Sequence, residues 1–458
     1  MGYPSERGRN YTPVEPVRCV LPEAPCRERM IVRSVPASVN HHRGSYTSPA
    51  LAAASYPFVV LPPGNTLRCK MFPSSKFYNR PLYFSETMKY NEVNDKLEFM
   101  GRNFVKQTKI DKVQTQDNYS LDVKIDYPEN SESIIIFCHG SGANTYDNHR
   151  EVAGKEFNYF DLFADEFCKR NIAFCRWNTR GCRISDIPPD FVSINLEEYA
   201  NYRPSTSIQD IITVKDYIKK LPQFKNSKIL LMGISEGATL IPYAMAQCND
   251  VEGLLLLSFS YENMKYTLDW QLSGGSSMVN MCKYFDCREK GFIEKTDFVL
   301  DKLGVRSSLF PDIEFEDLDI DKDGKLTQND FALQMADYKK QVFQAIEDND
   351  DEWLRNNYSV QITAKWCKEH FALPDIAIIM RSVNVPIYIF QGEDDANIPI
   401  SDIDKLRDDF KKWRKSNLHI FTFPKHDHDL NYLQYIFTGI IPNGLQCVFD
   451  TAHLFCKS

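Results

Sequence analysis

The chain has 458 residues, 43% hydrophobic and 25% charged, with a net charge of −8 and a pI near 5.7. That length has room for two or three domains of ordinary globular composition. The acidic balance excludes the clustered basic face of a nucleic-acid binder, and no apolar run reaches the roughly 18–20 residues of a membrane span.

Residues 1–69 carry eight arginines, no lysine and no aspartate, among many prolines. Residues 1–97 read as an N-terminal extension, poorly ordered at least to about residue 69. Organelle targeting by this Arg-rich segment is the alternative, although Glu6, Glu15, Glu23 and Glu28 count against it, because transit peptides avoid acids. The 13 cysteines are scattered, odd in number and without a C-x-x-C. They form neither a zinc framework nor a disulfide scaffold, so a reducing, cytoplasmic compartment is expected. Cys138 and Cys175 sit in strand-like runs and are expected to be buried thiols.

A regular rhythm begins near residue 98. Residues 118–128 alternate as a half-buried strand, and 133–142 form a continuous apolar strand ending in glycines. Residues 159–170 have helical spacing, and 171–181 read as a strand and a turn. In 207–221, Ile208, Ile211, Ile212, Val214, Ile218 and Leu221 gather mostly on one side of a helix. The strand 228–233, a small-residue helix and the strand 251–260 follow. The rhythm breaks near 262 and resumes with a strand at 385–395, a helix at 401–416 and a strand at 418–423. Strands alternating with helices predict a mostly parallel sheet flanked by helices on both faces. Residues 98–262 and 381–458 then form one α/β core, with 263–380 inserted into it.

The strand 228–233 runs into Gly233-Ile234-Ser235-Glu236-Gly237, and a helix follows. Gly-x-Ser-x-Gly in that setting is a nucleophile elbow, a turn so tight that the serine is strained and its neighbours must be small. Three more pieces must accompany it in order. "FCHGSGAN" (137–144) ends a strand in a glycine loop whose N–H groups can face an oxyanion. "IYIFQGEDDANIP" (387–399) ends a strand with two acids, Asp394 and Asp395. "FPKHDHDLN" (423–431) carries two histidines, His426 and His428, after the last strand. Each piece alone has a plainer reading: a tight junction, capping acids, a surface histidine. Arg180, in "WNTRG" at another strand end, reads as structural pairing, with substrate binding as the alternative.

With all four pieces in order, the chain resembles the α/β-hydrolase family over about 110–262 and 380–445. The resemblance implies Ser235 as nucleophile. It favours Asp395 over Asp394, because Gly392, Asp395 and Pro399 match the family's Gly-x-x-Asp-x-x-x-Pro. It favours His428 over His426 as base, because a histidine precedes the last helix. The oxyanion donors are then the N–H groups of Glu236 and of Gly140 or Ser141.

The insertion carries a second signal. "DIDKDGKLTQND" (319–330) matches an EF-hand loop. Asp319, Asp321, Asp323, the Lys325 carbonyl, Thr327 and Asp330 occupy the ligand positions, with Gly324 at the sharp turn. Asp330 stands where a longer glutamate is usual, which weakens Ca²⁺ binding and admits Mg²⁺. "DCREKGFIEKTD" (286–297) repeats the spacing 33 residues upstream. Arg288 and Lys290 at its ligand positions mark it as a degenerate partner that packs without metal. The plainer reading of 312–330 is an acidic surface loop, with eight acids against two lysines.

The family commonly carries a cap at the position of this insertion. Aromatic residues in 266–275 and 353–371 suit a cap or an acyl pocket. The expected function is a serine hydrolase cleaving an ester, thioester or related acyl bond, with a calcium-binding cap. Its partners are then a small-molecule or acyl substrate and calcium; no protein partner is legible. One alternative is a serine peptidase of the aminopeptidase or prolyl-oligopeptidase type. The other is a calcium-binding pseudoenzyme acting as an interaction protein.

Overall fold

The computed structural model describes residues 105–248 and 250–457, so the expectations for 1–97 lie outside the described residues. One large sheet has eight strands: β1 (Lys106–Gln114), β2 (Ser120–Pro128), β3 (Ser133–Cys138), β4 (Ile172–Trp177), β5 (Lys228–Ile234), β6 (Gly253–Leu257), β7 (Ile387–Gly392) and β8 (Leu418–Phe423). Their order is β1-β2-β4-β3-β5-β6-β7-β8. β1 pairs antiparallel with β2, and β2 antiparallel with β4. All other pairings in this sheet are parallel. The helices used below are α1 (Asp161–Lys169), α2 (Pro204–Lys220), α3 (Glu236–Met245), α4 (Gln328–Asp348), α5 (Ala364–Phe371), α6 (Ser401–Trp413) and α7 (Asn443–Lys457).

Side-chain alternation splits the core into two layers. Ile134 and Ile136 of β3 and Ile229 and Leu231 of β5 share one face. Above them pack Ile208, Ile211, Val214 and Ile218 of α2, with Ile403 and Leu406 of α6. Ile135, Phe137, Leu230 and Met232 share the other face, beneath Phe163 and Phe167 of α1 and Val448 and Phe449 of α7. Covered on both faces, β3 is buried along its whole length, so it reads as an unbroken apolar run. Each such side chain contributes roughly 1.5–3 kcal/mol by leaving water. β1 has no such signature: its sequence KQTKIDKVQ is polar and mostly exposed. It is held as an edge strand by backbone pairing with β2.

The chain between β6 and β7 is mainly helical. Leu268, Leu272, Met335, Val342 and Trp366 form one cluster there, together with Tyr199 and Tyr202. Of the aromatic residues in 266–275 and 353–371, Trp366 is buried in this cluster and Trp353, Tyr358 and Phe371 pack against it, while Tyr266 is exposed. A second cluster joins Phe285, Phe298, Phe315 and Phe331 around Ile293 and Leu326. Ile293 pairs antiparallel with Leu326, and Glu294 with Lys325, so the loops 286–297 and 319–330 lie side by side.

Candidate active site

β5 ends at Ile234 and α3 begins at Glu236, so the reversal is confined to Ser235. Ser235 takes φ +57°, ψ −123°, a conformation costly for a residue with a Cβ. Two flanking glycines make the turn feasible. A Cβ on Gly237 would sit 2.1 Å from the Cys138 carbonyl oxygen, and one on Gly233 would sit 2.4 Å from the Gly237 carbonyl carbon. The helix start is thus pressed against the end of β3. The loop that leaves β3 borders the serine: a Cβ on Gly140 would lie 3.2 Å from Ser235 Cβ and 3.7 Å from its Oγ.

β7 ends at Gly392, and the turn after it carries Asp395. His428 follows β8. His428 Nδ1 lies 2.8 Å from Asp395 Oδ2 and 2.9 Å from Oδ1, and both side chains are buried. The Asp395 carboxylate also accepts hydrogen bonds from Gln391 Nε2 at 2.8 Å and from the N–H groups of Asn397 and Ile398 at 2.8 and 3.0 Å. Burial alone would lower the pKa of His428, but the Asp395 carboxylate outweighs it and the imidazole is raised to about 9. The other acid and the other histidine are placed differently. Asp394 is raised by burial and uses its N–H to reach the His426 carbonyl at 2.9 Å. His426 Nδ1 lies 3.0 Å from the Pro424 carbonyl. Gln391 had no signal in the sequence beyond being one polar residue in an apolar strand.

The Glu236 side chain is held by a hydrogen-bond network. Its carboxylate is 3% exposed. It lies 2.8 Å from His370 Nε2 and accepts hydrogen bonds from Trp366 Nε1 at 2.9 Å and from the Tyr202 hydroxyl. Burial would raise this carboxyl, yet the bonds from His370, Tyr202 and Trp366 hold it below the usual range. None of the three partners was legible in sequence, since Trp366 and His370 come from 130 and 134 residues away. Arg180 is 3% exposed. It donates to Asp210 Oδ2 at 2.8 Å and Oδ1 at 2.6 Å and reaches Asp117, a structural pairing.

In the insertion, Asp319, Asp321 and Asp323 bring one carboxylate oxygen each within 4.8 Å of one another. Asp319 Oδ1 is buried and has no hydrogen-bond partner, and hard oxygen donors so grouped suit Ca²⁺ or Mg²⁺. Asp330 and Thr327 take part in hydrogen bonds of the same loop. Asp330 accepts from the N–H groups of Ile320 and Thr327 at 2.9 and 2.8 Å, and the Thr327 side chain caps α4. Lys325 pairs with Glu294 across the two loops. In the upstream loop, Lys290 Nζ lies 2.6 Å from Asp297 and 2.8 Å from Glu294, while Arg288 reaches Asp297 at 2.8 Å. Side-chain cations there neutralise the loop's own acids.

A cavity of about 300 Å³ lies beside Thr239, lined among others by Tyr243, Asn263, His370 and Ile376. Ser235 does not line it. Among the described residues, no helix is long and apolar enough to cross a membrane.

No family model matches the chain, and no curated protein matches it. Solved structures do. The chain is similar to the acylaminoacyl peptidase of Pyrococcus horikoshii, at 13% identity and a TM-score of 0.40, over 79% of this chain and 43% of that one. It is similar to Est1E from Butyrivibrio proteoclasticus, at 13% identity and a TM-score of 0.39, over 76% of this chain and 99% of that one. It is also similar to the Pyrococcus furiosus esterase PF2001, at 12% identity and a TM-score of 0.41, over 83% and 98%. The chain thus spans less than half the length of the peptidase. The eight-stranded, mostly parallel sheet with helices on both faces is the architecture expected from the sequence resemblance.

Proposed function

We propose that the chain is a serine hydrolase that cleaves a carboxylic ester, thioester or related acyl bond through Ser235, His428 and Asp395. The observation that supports this best is the left-handed Ser235 at a strand–helix turn, in the same fold as a buried Asp395–His428 pair. In this reading Asp395 holds Nδ1, which leaves Nε2 of His428 to take the Ser235 proton as Oγ attacks the carbonyl. The N–H of Glu236 and that of Gly140 or Ser141 receive the oxyanion. Collapse expels the leaving group, which takes the proton from His428. Water then hydrolyses the acyl-enzyme by the same route.

The insertion is read as a cap that binds Ca²⁺, or Mg²⁺ in its place, through Asp319, Asp321, Asp323, the Lys325 carbonyl, Thr327 and Asp330. The buried, unpartnered Asp319 Oδ1 supports this. The test of the hydrolase reading is fluorophosphonate labelling of the full chain and of Ser235→Ala. Labelling of the wild type alone is expected. Equal labelling of both, or of neither, sinks the proposal, and the second result moves the reading to a calcium-binding pseudoenzyme.

A further inference from the structure

The proposed oxyanion donors sit on two separate segments, the loop after β3 and the start of α3. One carboxylate ties them together. Gly142 N–H donates to the Tyr202 hydroxyl at 3.1 Å, and that hydroxyl donates to Glu236. On its other side Glu236 meets Trp366 Nε1 at 2.9 Å and His370 Nε2 at 2.8 Å, both from α5 of the insertion. His370 is 1% exposed and Trp366 3%. The carboxylate can only accept, so the His370 tautomer that satisfies it carries its proton on Nε2. The insertion also touches the glycine loop directly: Val360 Cγ1 would lie 3.2 Å from a Cβ on Gly142. Next to it, the Gln361 carbonyl accepts from the Tyr199 hydroxyl.

We propose that Glu236 is a positioning residue whose side chain aligns the two halves of the oxyanion hole, and that α5 of the insertion completes that alignment through Trp366 and His370. The inference rests on the hydrolase reading above. The physical reason is that an oxyanion hole works by being in place before charge develops. The N–H of Glu236 points where its own residue is held, and that residue is held from the insertion. A buried carboxylate with three donors is a stiff anchor, because releasing any one of them leaves charge desolvated. A merely structural pair would be as buried, but its loss would lower stability without a selective loss of the chemical step.

The experiment measures kcat and KM for p-nitrophenyl butyrate, with the melting temperature, on the full chain. The variants are Glu236→Gln, His370→Ala, His370→Gln and Tyr202→Phe. Met335→Ala serves as control, since Met335 lies in the same insertion core but not on Glu236. Glu236→Gln and His370→Ala are expected to lower kcat by about 10–100-fold, part of the loss seen when an oxyanion donor is removed, with KM within about twofold. His370→Gln keeps a donor and recovers most of the rate. Met335→Ala keeps kcat within about threefold at an equal or larger drop in melting temperature. If His370→Ala or Glu236→Gln does not fold, Tyr202→Phe decides, because it removes only the hydroxyl that joins Gly142 to Glu236. A full rate in Tyr202→Phe, or a kcat loss in the Glu236 and His370 variants no larger than in Met335→Ala, overturns the proposal. If Ser235→Ala is inactive while Glu236→Gln is fully active, this inference alone fails. Unchanged activity in Ser235→Ala removes the hydrolase reading, and this inference with it.

Discussion

His428 is subject to two opposed effects. Burial disfavours its charged form, and Asp395 at 2.8 Å favours it. The carboxylate outweighs burial, so the imidazole is raised to about 9. A general base must be neutral, so hydrolysis of p-nitrophenyl butyrate is expected to rise with pH along a limb set by this group. In Asp395→Asn the opposing burial is left alone, and the limb moves to lower pH. The same variant loses the tautomer control, and kcat falls by about 10²–10⁴-fold. A limb that stays in place would show that another group sets it. The pair also makes folding pH-dependent. Its folded pKa lies above the unfolded value of about 6.5. Its stabilisation is therefore complete below that pH and lost as pH rises through about 9. Urea midpoints of the Ser235→Ala protein measured across that window test the sign.

At the scale of elements, β2 and β4 are joined by more than their ladder. Arg176 and Asp126 face each other at 2.6 Å, 0% and 1% exposed. Desolvation raises the Asp126 carboxyl, but Arg176, with Thr108, brings it below its usual range. Removing one partner leaves a buried charge without compensation. Arg176→Leu is expected to cost about 3–5 kcal/mol in urea unfolding. The double variant Arg176→Leu, Asp126→Leu should recover part of that loss, because no lone charge remains. A double variant no more stable than the single one would mean that Arg176 acts through packing instead. Neither residue stood out in the sequence reading. Their partnership depends on an antiparallel register, with Asp126 opposite Phe174 and Lys124 opposite Arg176. Local periodicity does not specify such a register.

At the scale of the molecule, the insertion and the core meet at Glu236, through Trp366 and His370. Ca²⁺ bound only by the folded chain stabilises it by mass action, by about 2.7 kcal/mol at a hundredfold excess over Kd. The melting temperature is therefore expected to rise with Ca²⁺ and fall with a chelator. Asp319→Asn together with Asp323→Asn should remove the response. A wild-type melting curve identical in chelator and in millimolar Ca²⁺ would count against the metal reading. Binding through one loop, not two, is expected, because Lys290 and Arg288 already neutralise the acids of the upstream loop.

What the sequence determined by itself is what local physics determines. Apolar runs at β3, β5 and β6, helical spacing in α2 and glycines two residues either side of Ser235 were readable, because each pattern is set within a few residues. From them the α/β architecture followed, since alternating strands and helices have few ways to bury their faces. The charged β1 was missed, because an edge strand held by backbone pairing needs no apolar pattern. The acid and histidine loops were readable as pairs of candidates, with the family pattern favouring Asp395 and His428. Only the tertiary structure decided that Asp395 meets His428, while His426 meets the Pro424 carbonyl. It alone brought Gln391 to Asp395, and Tyr202, Trp366 and His370 to Glu236. Such contacts join residues far apart in the chain, and their partners are set by how packed elements abut, which no local spacing encodes.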